Sequence, residues 1–253
     1  MKLYNVVFSP TGGTQKVAAA LTDALGSKVT RVDLTDSKQN FRTILLTQED
    51  VAFISVPSYG GRVPAVAVER LTMLSGQGAR AVLVCVYGNR AYEDTLVELE
   101  DAAKRAGFRV IAAVAAVAEH SIARQFAAGR PDAQDVKQLS DFARQIQAKL
   151  SAGDSTEPSI PGNRPYKKAG GTGIVPMPTK ACTKCGVCAV ECPVQAIDKE
   201  NPKKVDKKAC ISCMRCVSVC PHSARKVNPI MLSAASLMLK KVCSERKDCE
   251  LFL

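Results

Sequence analysis

Apolar and polar positions fall in blocks along the first 150 residues, and the blocks switch between two periods. "KLYNVVF" (2–8), "KVTRVDL" (28–34), "VAFISV" (51–56), "ARAVLVCV" (79–86) and "RVIAAVAAV" (109–117) are short, mostly apolar runs. Runs of this kind predict strands, and near-continuous apolarity predicts strands buried on both faces. Between them, apolar residues recur at helical spacing. Val17, Leu21 and Leu25 are each four apart, with Gly26 as a stop. Leu96, Leu99 and Ala103 share one face of 91–107, which also ends in Gly; 131–150 opens with Pro and Asp and closes with Lys149. Five strands alternating with helices predict an α/β fold, a doubly wound parallel sheet over 1–150.

The pattern then breaks. "SAGDSTEPSIPGNRPYKKAGGTGIVPMP" (151–178) has neither period and is rich in Gly, Pro and Ser, so 151–177 reads as a linker. A cysteine-rich module follows over 178–228, and a C-terminal helix and tail over 229–253. The apolar stretch "VNPIMLSAASLML" has 13 residues, short of the roughly 20 needed to span a membrane. No basic start leads into an apolar run as in a secretory leader. These features predict a soluble, cytoplasmic protein.

Cysteine usage is uneven. Only Cys85 lies in the first 181 residues; the other ten fall between Cys182 and Cys249. Clustering of this kind points to metal ligation rather than disulfides. Charge is uneven too, since residues 160–253 carry 17 Lys+Arg against 7 Asp+Glu.

"KACTKCGVCAVECPVQA" (180–196) and "KACISCMRCVSVCPHSA" (208–224) align without gaps at an offset of 28. Each reads C-x2-C-x2-C-x3-C-P. Three cysteines so spaced wrap three corners of a cubic cluster, and the fourth, set apart by a proline, reaches the neighbouring cluster. Cys182, Cys185, Cys188 and Cys220 are therefore expected to hold one 4Fe–4S cluster, and Cys210, Cys213, Cys216 and Cys192 the other. Zinc is the bland alternative, but zinc sites usually pair two C-x2-C units across a longer gap. The module resembles the bacterial two-cluster ferredoxins. The halves differ where Gly186 is replaced by Met214. Eight thiolates and two anionic clusters account for much of the basic excess. Lys180, Lys184, Lys203, Lys204, Lys207 and Lys208 offset them and predict a redox partner with an acidic docking face. Few aromatics interleave with these lysines, which speaks against nucleic acid.

"FSPTGGTQKVA" (8–18) joins the first strand to the first helix. It lacks the lysine of an ATP-binding phosphate loop. Its glycines and hydroxyls still make an anion site, because backbone N–H groups curl into a nest at a helix N-terminus. Ser9, Thr11, Gly12, Gly13 and Thr14 match [ST]-x-T-G-x-T, and on this fingerprint residues 1–150 resemble a flavodoxin. The resemblance implies that this loop holds the phosphate of FMN. It implies further that "VPSYGGRVPA" (56–65) and "VYGNRAYED" (86–94) bracket the flavin ring. Ser58, Tyr59, Gly60 and Gly61 are candidates in the first of these loops. Tyr87, Gly88, Asn89, Arg90 and Tyr92 are candidates in the second. Arg62 or Arg90 is placed to stabilise a reduced ring. No Trp is available for stacking.

Nearly the whole chain is similar to flavodoxin–ferredoxin fusion proteins of anaerobic bacteria. The resemblance implies electron transfer between FMN, two [4Fe–4S] clusters and a redox partner. A flavin-dependent reductase of a small acceptor (quinone, nitro compound or oxygen) is the first alternative, and a ferredoxin with a flavin-free docking domain the second. Glu119 and His120 stand at the end of the fifth strand, on the ligand edge; they read first as surface hydrogen-bonding groups, with proton exchange at a flavin or substrate as the alternative. His222 has no ligand position left to fill, Cys85 reads as core, and Cys243 and Cys249 read as free thiols.

Overall fold

The computed structural model describes residues 2–26, 28–170 and 173–253. Gly171 and Thr172 of the expected linker lie outside the described residues. The five apolar runs become parallel strands β1 (Leu3–Val7), β2 (Val29–Asp33), β3 (Val51–Pro57), β4 (Arg80–Tyr87) and β5 (Arg109–Val117). Their order is β2-β1-β3-β4-β5, that of flavodoxin-like sheets. Every residue of β3 is buried, whereas edge strand β2 buries only Val32. This is why the central run reads as continuously apolar and the edge run does not.

Helices cover both faces. Val17 and Leu21 of α1 (Gly13–Asp23) and Leu139, Ala143 and Ile146 of α4 (Ala133–Ser151) pack on one face of the sheet. Leu71 of α2 (Ala65–Leu71) and Leu96 and Leu99 of α3 (Thr95–Arg105) pack on the other. Asp132 and Asp135 form a capping box at the start of α4.

The Gly/Pro-rich stretch does not swing free. Arg164 pairs with Glu100 (2.7 Å) and Asp101 (2.8 Å), and the Tyr166 hydroxyl donates to Asp101. The Asn163 and Lys167 N–H groups both donate to Asp94, and Lys167 Nζ pairs with Glu93 (2.6 Å). The stretch is a strap running along α3.

The cysteine module consists of β6 (Met177–Pro178), the short helices α5 (Val187–Val190) and α6 (Arg215–Ser218), and β7 (Arg225–Lys226), which pairs antiparallel with β6. Helix α7 (Pro229–Cys243) then leads back to the first domain, where β8 (Glu250–Phe252) adds antiparallel to β5. The sheet thus has six strands rather than the expected five, and the expected tail is its last strand. Three residues are too few to show a period, and their partner lies more than 130 residues upstream.

The returning segment is clamped by charge. Arg130 and Asp135 form a buried ion pair at 2.5 Å, with side-chain exposures of 5% and 0%. Arg246 reaches Asp132 (2.7 Å) and Asp135 (2.9 Å), and Arg130 also donates to the Lys247 carbonyl. Replacing Asp135 by Asn leaves the Arg130 charge buried without its counter-ion, and is expected to cost about 3–5 kcal/mol. Urea unfolding followed by circular dichroism checks this; a loss under about 1 kcal/mol would mean the clamp is not structural.

Candidate functional site

Parallel strands deliver their βα loops to one edge of the sheet, and in the 2-1-3-4-5 order the chain splits between β1 and β3. The loop after β1 turns at Gly12, whose φ of +92° lies in the left-handed region. Gly12 is the N-cap of α1 and supplies no side-chain cap, so the first-turn N–H groups are left open to an anion. One is already used: the Gln15 N–H donates to Ser9 Oγ at 2.9 Å. Ser9 is itself buried, with its N–H on Thr35 Oγ1.

Thr11, Gly13 and Thr14 line a cleft of about 130 Å³. Ser58, Tyr59 and Gly60 from the β3 loop line it too, as do Tyr87 and Gly88 from the β4 loop. Tyr59 and Arg62 exchange backbone hydrogen bonds across Gly60 (φ +62°) and Gly61 (φ +83°), which makes a tight turn of the type that needs positive φ at both central residues.

Six of the expected contacts fall outside this cleft. Ser9 and Gly12 belong to the phosphate loop but do not line the cleft. Gly61 faces Glu93: a Cβ there would fall 1.7 Å from the carboxylate. Asn89 is buried and faces away, donating to the carbonyls of Cys243 (2.9 Å) and Glu245 (2.7 Å). Its amide holds the returning segment, not a ring. Arg90 pairs with Glu93 (2.8 Å). Tyr92 lies behind Tyr87, with ring centroids 5.3 Å apart, and donates to Glu250 of β8. Arg62 is also committed, to Glu98 at 2.7 Å and to the face of Tyr166. For Asn89 and Tyr92 the competing partner comes from a distant segment, which the motif alone does not reveal, whereas Arg90 is taken by Glu93 of its own loop.

The cleft gains walls that the motifs do not announce. Ala118, Glu119, His120, Ser121 and Ile122 follow β5 and line it, and Gly170 of the strap passes over Gly60. His120 is therefore part of the cleft. Its Nδ1 accepts N–H bonds from Ile122 (3.2 Å) and Ala123 (3.1 Å), which assigns the proton to Nε2. Burial, with the nearby Arg90 charge, holds the imidazole below its ordinary pKa and keeps it neutral. The ring packs flat on Gly88, where a Cβ would come within 2.5 Å of it. A polar pair at the C-terminal end of β5 was the available signal.

The thiols gather in the expected two sets. Cys182, Cys185, Cys188 and Cys220 line one cavity. Burial pushes Cys213 up to about 12, and the same thiol is coupled electrostatically to Cys192, Cys216 and Cys210. Equivalent backbone bonds recur at the repeat offset, from the Ala196 N–H to Cys192 Sγ (3.3 Å) and from the Ala224 N–H to Cys220 Sγ (3.2 Å). Burial raises Cys220, but N–H groups of Ala224, His222 and Arg225 outweigh it and bring the thiol below its usual value. Such bonds stabilise a thiolate ligand. Gly186 and Met214 cap α5 and α6 at φ +78° and +62°. Among the described residues no three His, Cys, Asp or Glu side chains converge on a single ion.

The α6 segment of the second half reaches the phosphate loop, and Cys220 of the other set lines the cavity adjoining it. Arg215 donates to the Pro10 carbonyl of the phosphate loop (3.3 Å) and pairs with Glu191. Arg70 of α2 donates to the carbonyl of Pro193 (2.6 Å), next to Cys192. Burial drives the Tyr59 phenol well above its ordinary pKa, and Cys213 adds to the rise. Met214 is buried in the wall of an adjoining cavity of about 510 Å³, which also includes Thr11 and Gly13. Cys185, by contrast, is exposed.

The 4Fe–4S dicluster domain family matches residues 181–224, which places this segment among iron–sulfur proteins. A ferredoxin-like protein of the nif region of Sinorhizobium fredii is 45% identical over 47 residues, covering 16% of this chain and 73% of that protein. Through this segment the chain belongs to the dicluster ferredoxin family. Among solved structures, a flavodoxin from Streptococcus pneumoniae is 22% identical and covers 58% of this chain and 99% of its own, at a TM-score of 0.41. The two-electron-reduced flavodoxin of Megasphaera elsdenii is 21% identical over 56% of this chain and 98% of its own, at a TM-score of 0.38. Among the described residues no helix is long and apolar enough to cross a membrane.

The strap that roofs the cleft is held by depressed carboxyls. The Lys167 N–H lowers Asp94, Arg164 lowers Asp101, and Arg90 lowers Glu93. Groups depressed in the folded chain stabilise it fully above their unfolded pKa, 3.8 for Asp, and lose that contribution as pH falls through the folded value. Hydrogen-exchange protection at Asn163 and Lys167 is expected to fall as pH drops below about 4, and to be lost at neutral pH in Asp94→Ala. Unchanged protection in both cases would show that the strap is held otherwise.

Proposed function

We propose that the chain is an electron-transfer protein holding FMN in the cleft and two [4Fe–4S] clusters in the two thiol sets. The observation that carries this reading is the junction of the two sites. Arg215, beside Cys216, donates to the Pro10 carbonyl of the phosphate loop, and one cavity is lined by Thr11 and Gly13 of that loop together with Met214 and Cys220 of the cysteine module. FMN exchanges one or two electrons and each cluster exchanges one, so a chain holding both interconverts paired and single electrons.

The residues fit these groups. The uncapped start of α1, with Thr11 and Thr14, suits a phosphate dianion. Tyr59 and Tyr87 line the walls where a planar ring would lie, and His120 offers a neutral N–H donor rather than a charge. Cys182, Cys185, Cys188 and Cys220 would hold one cluster, and Cys192, Cys210, Cys213 and Cys216 the other. The exposed Cys185 lies among exposed Lys180 and Lys184, which makes this the docking face for an acidic redox partner in a reducing compartment such as the cytoplasm.

Iron, acid-labile sulfide and released flavin on anaerobically purified protein test this directly. About eight irons and one FMN per chain are expected. Eight irons without flavin, and none taken up on titration, would reduce the protein to a ferredoxin with a docking domain. Gly12→Val forces a β-branched residue to positive φ at the phosphate turn. It is expected to weaken FMN binding at least tenfold while leaving the iron count unchanged. Equal affinity in the variant would place the flavin elsewhere.

A further inference from the structure

The two halves of the cysteine repeat differ at a second, buried position. Ile197 stands five residues after Cys192 and is 6% exposed; Arg225 stands five after Cys220 and is 3% exposed. Both lie on short antiparallel pairings, Ile197 opposite Val205 and Arg225 opposite Pro178. Where one half buries an aliphatic side chain, the other buries a guanidinium.

A buried charge is costly unless opposite charge answers it. Arg225 donates from Nη1 to the Pro176 carbonyl (2.9 Å) and from Nη2 to the Pro202 carbonyl. Among the described residues no carboxylate pairs with it, and its buried Nε–H has no acceptor. Carbonyls orient a guanidinium but do not neutralise it. The thiols supply the missing charge. Arg225 is in the wall of the cavity framed by Cys182, Cys185, Cys188 and Cys220. Its charge also acts on Cys210 and Cys216 of the other set. The orphaned donor and the uncompensated cation thus face the space where anionic clusters would sit.

We propose that Arg225 is a buried counter-charge shared by both clusters, with its Nε–H available to a cluster sulfur, and that it raises both reduction potentials. The proposal rests on the two-cluster reading above. A cubane with four thiolates is already anionic, and each one-electron reduction adds a further negative charge. A fixed cation with no water around it favours that added electron. Because Arg225 lines the cavity of one set and its charge reaches the thiols of the other, it moves both potentials in the same direction. An apolar residue at this place, as in the first half, would leave them lower.

The test is an anaerobic redox titration monitored by electron paramagnetic resonance, with iron and sulfide assayed on every sample. Arg225→Ile copies the residue that the fold already accepts at position 197. It is expected to shift each one-electron equilibrium at least tenfold toward the oxidised form, about 59 mV more negative. Arg225→Lys keeps the charge and is expected to shift less, in the same direction. Full iron content with both equilibria within twofold of the parent overturns the role of Arg225 and leaves the two-cluster reading standing. A parent with fewer than about eight irons overturns that reading instead. If Arg225→Ile does not retain its iron, the Arg215→Lys chain grown on arginine labelled with 15N in the guanidino group decides the matter. A 15N coupling to the reduced clusters supports the proposal, and its absence defeats it.

Discussion

A parallel sheet sends all its βα loops to the carboxyl edge, and everything functional in this chain is gathered on that edge. The strand order splits the chain between β1 and β3, and the opening is lined by loops from β1, β3, β4 and β5. The cysteine module sits between α4 and β8, and both of its connections return to the same edge. The strap enters along α3 and passes over Gly60; the exit helix ends with Asn89 holding its last carbonyls. The side of the module toward the phosphate loop carries Met214 and Arg215 of the second half together with Cys220.

Electrostatics explains why the arrangement holds. The excess of cations over carboxylates is concentrated where thiolates are concentrated, and three buried arginines each have a distinct task. Arg130 meets a carboxylate, Asp135, and clamps the returning segment. Arg70 meets only carbonyls and the face of Phe41, and joins α2 to Pro193. Arg225 meets only carbonyls, inside the cysteine module. A guanidinium bound to carbonyls alone retains its full charge, so its place in the fold depends on what anion lies nearby.

Much of this was legible in the sequence because periodicity and spacing are local. Apolar runs of five to nine residues set β1 to β5, and Gly26 and Gly107 mark where α1 and α3 stop. The doubled C-x2-C-x2-C-x3-C-P pattern is plain in the sequence, and Cys182, Cys185, Cys188 and Cys220 line one cavity. Eight of the fourteen expected flavin contacts line the cleft. Asn89, Arg90 and Tyr92 do not, since each is taken by a group from a distant or competing segment: Cys243 and Glu245, Glu93, and Glu250. His120 was visible only as a polar residue at a strand end, and Gly170 as one glycine among several.

The sequence by itself determined the elements, the chemistry of the ligands and the division of the chain, because those depend on residues close together along the backbone. Tertiary structure decided which part of the cysteine module meets the phosphate loop, which loop residues remain available, that residues 250–252 add the sixth strand to the sheet, and that Arg225 lies buried in the cysteine module. Each of these is a pairing between segments tens to hundreds of residues apart. Their partners are chosen by which surfaces the folded layers bring together, and no local pattern encodes that choice.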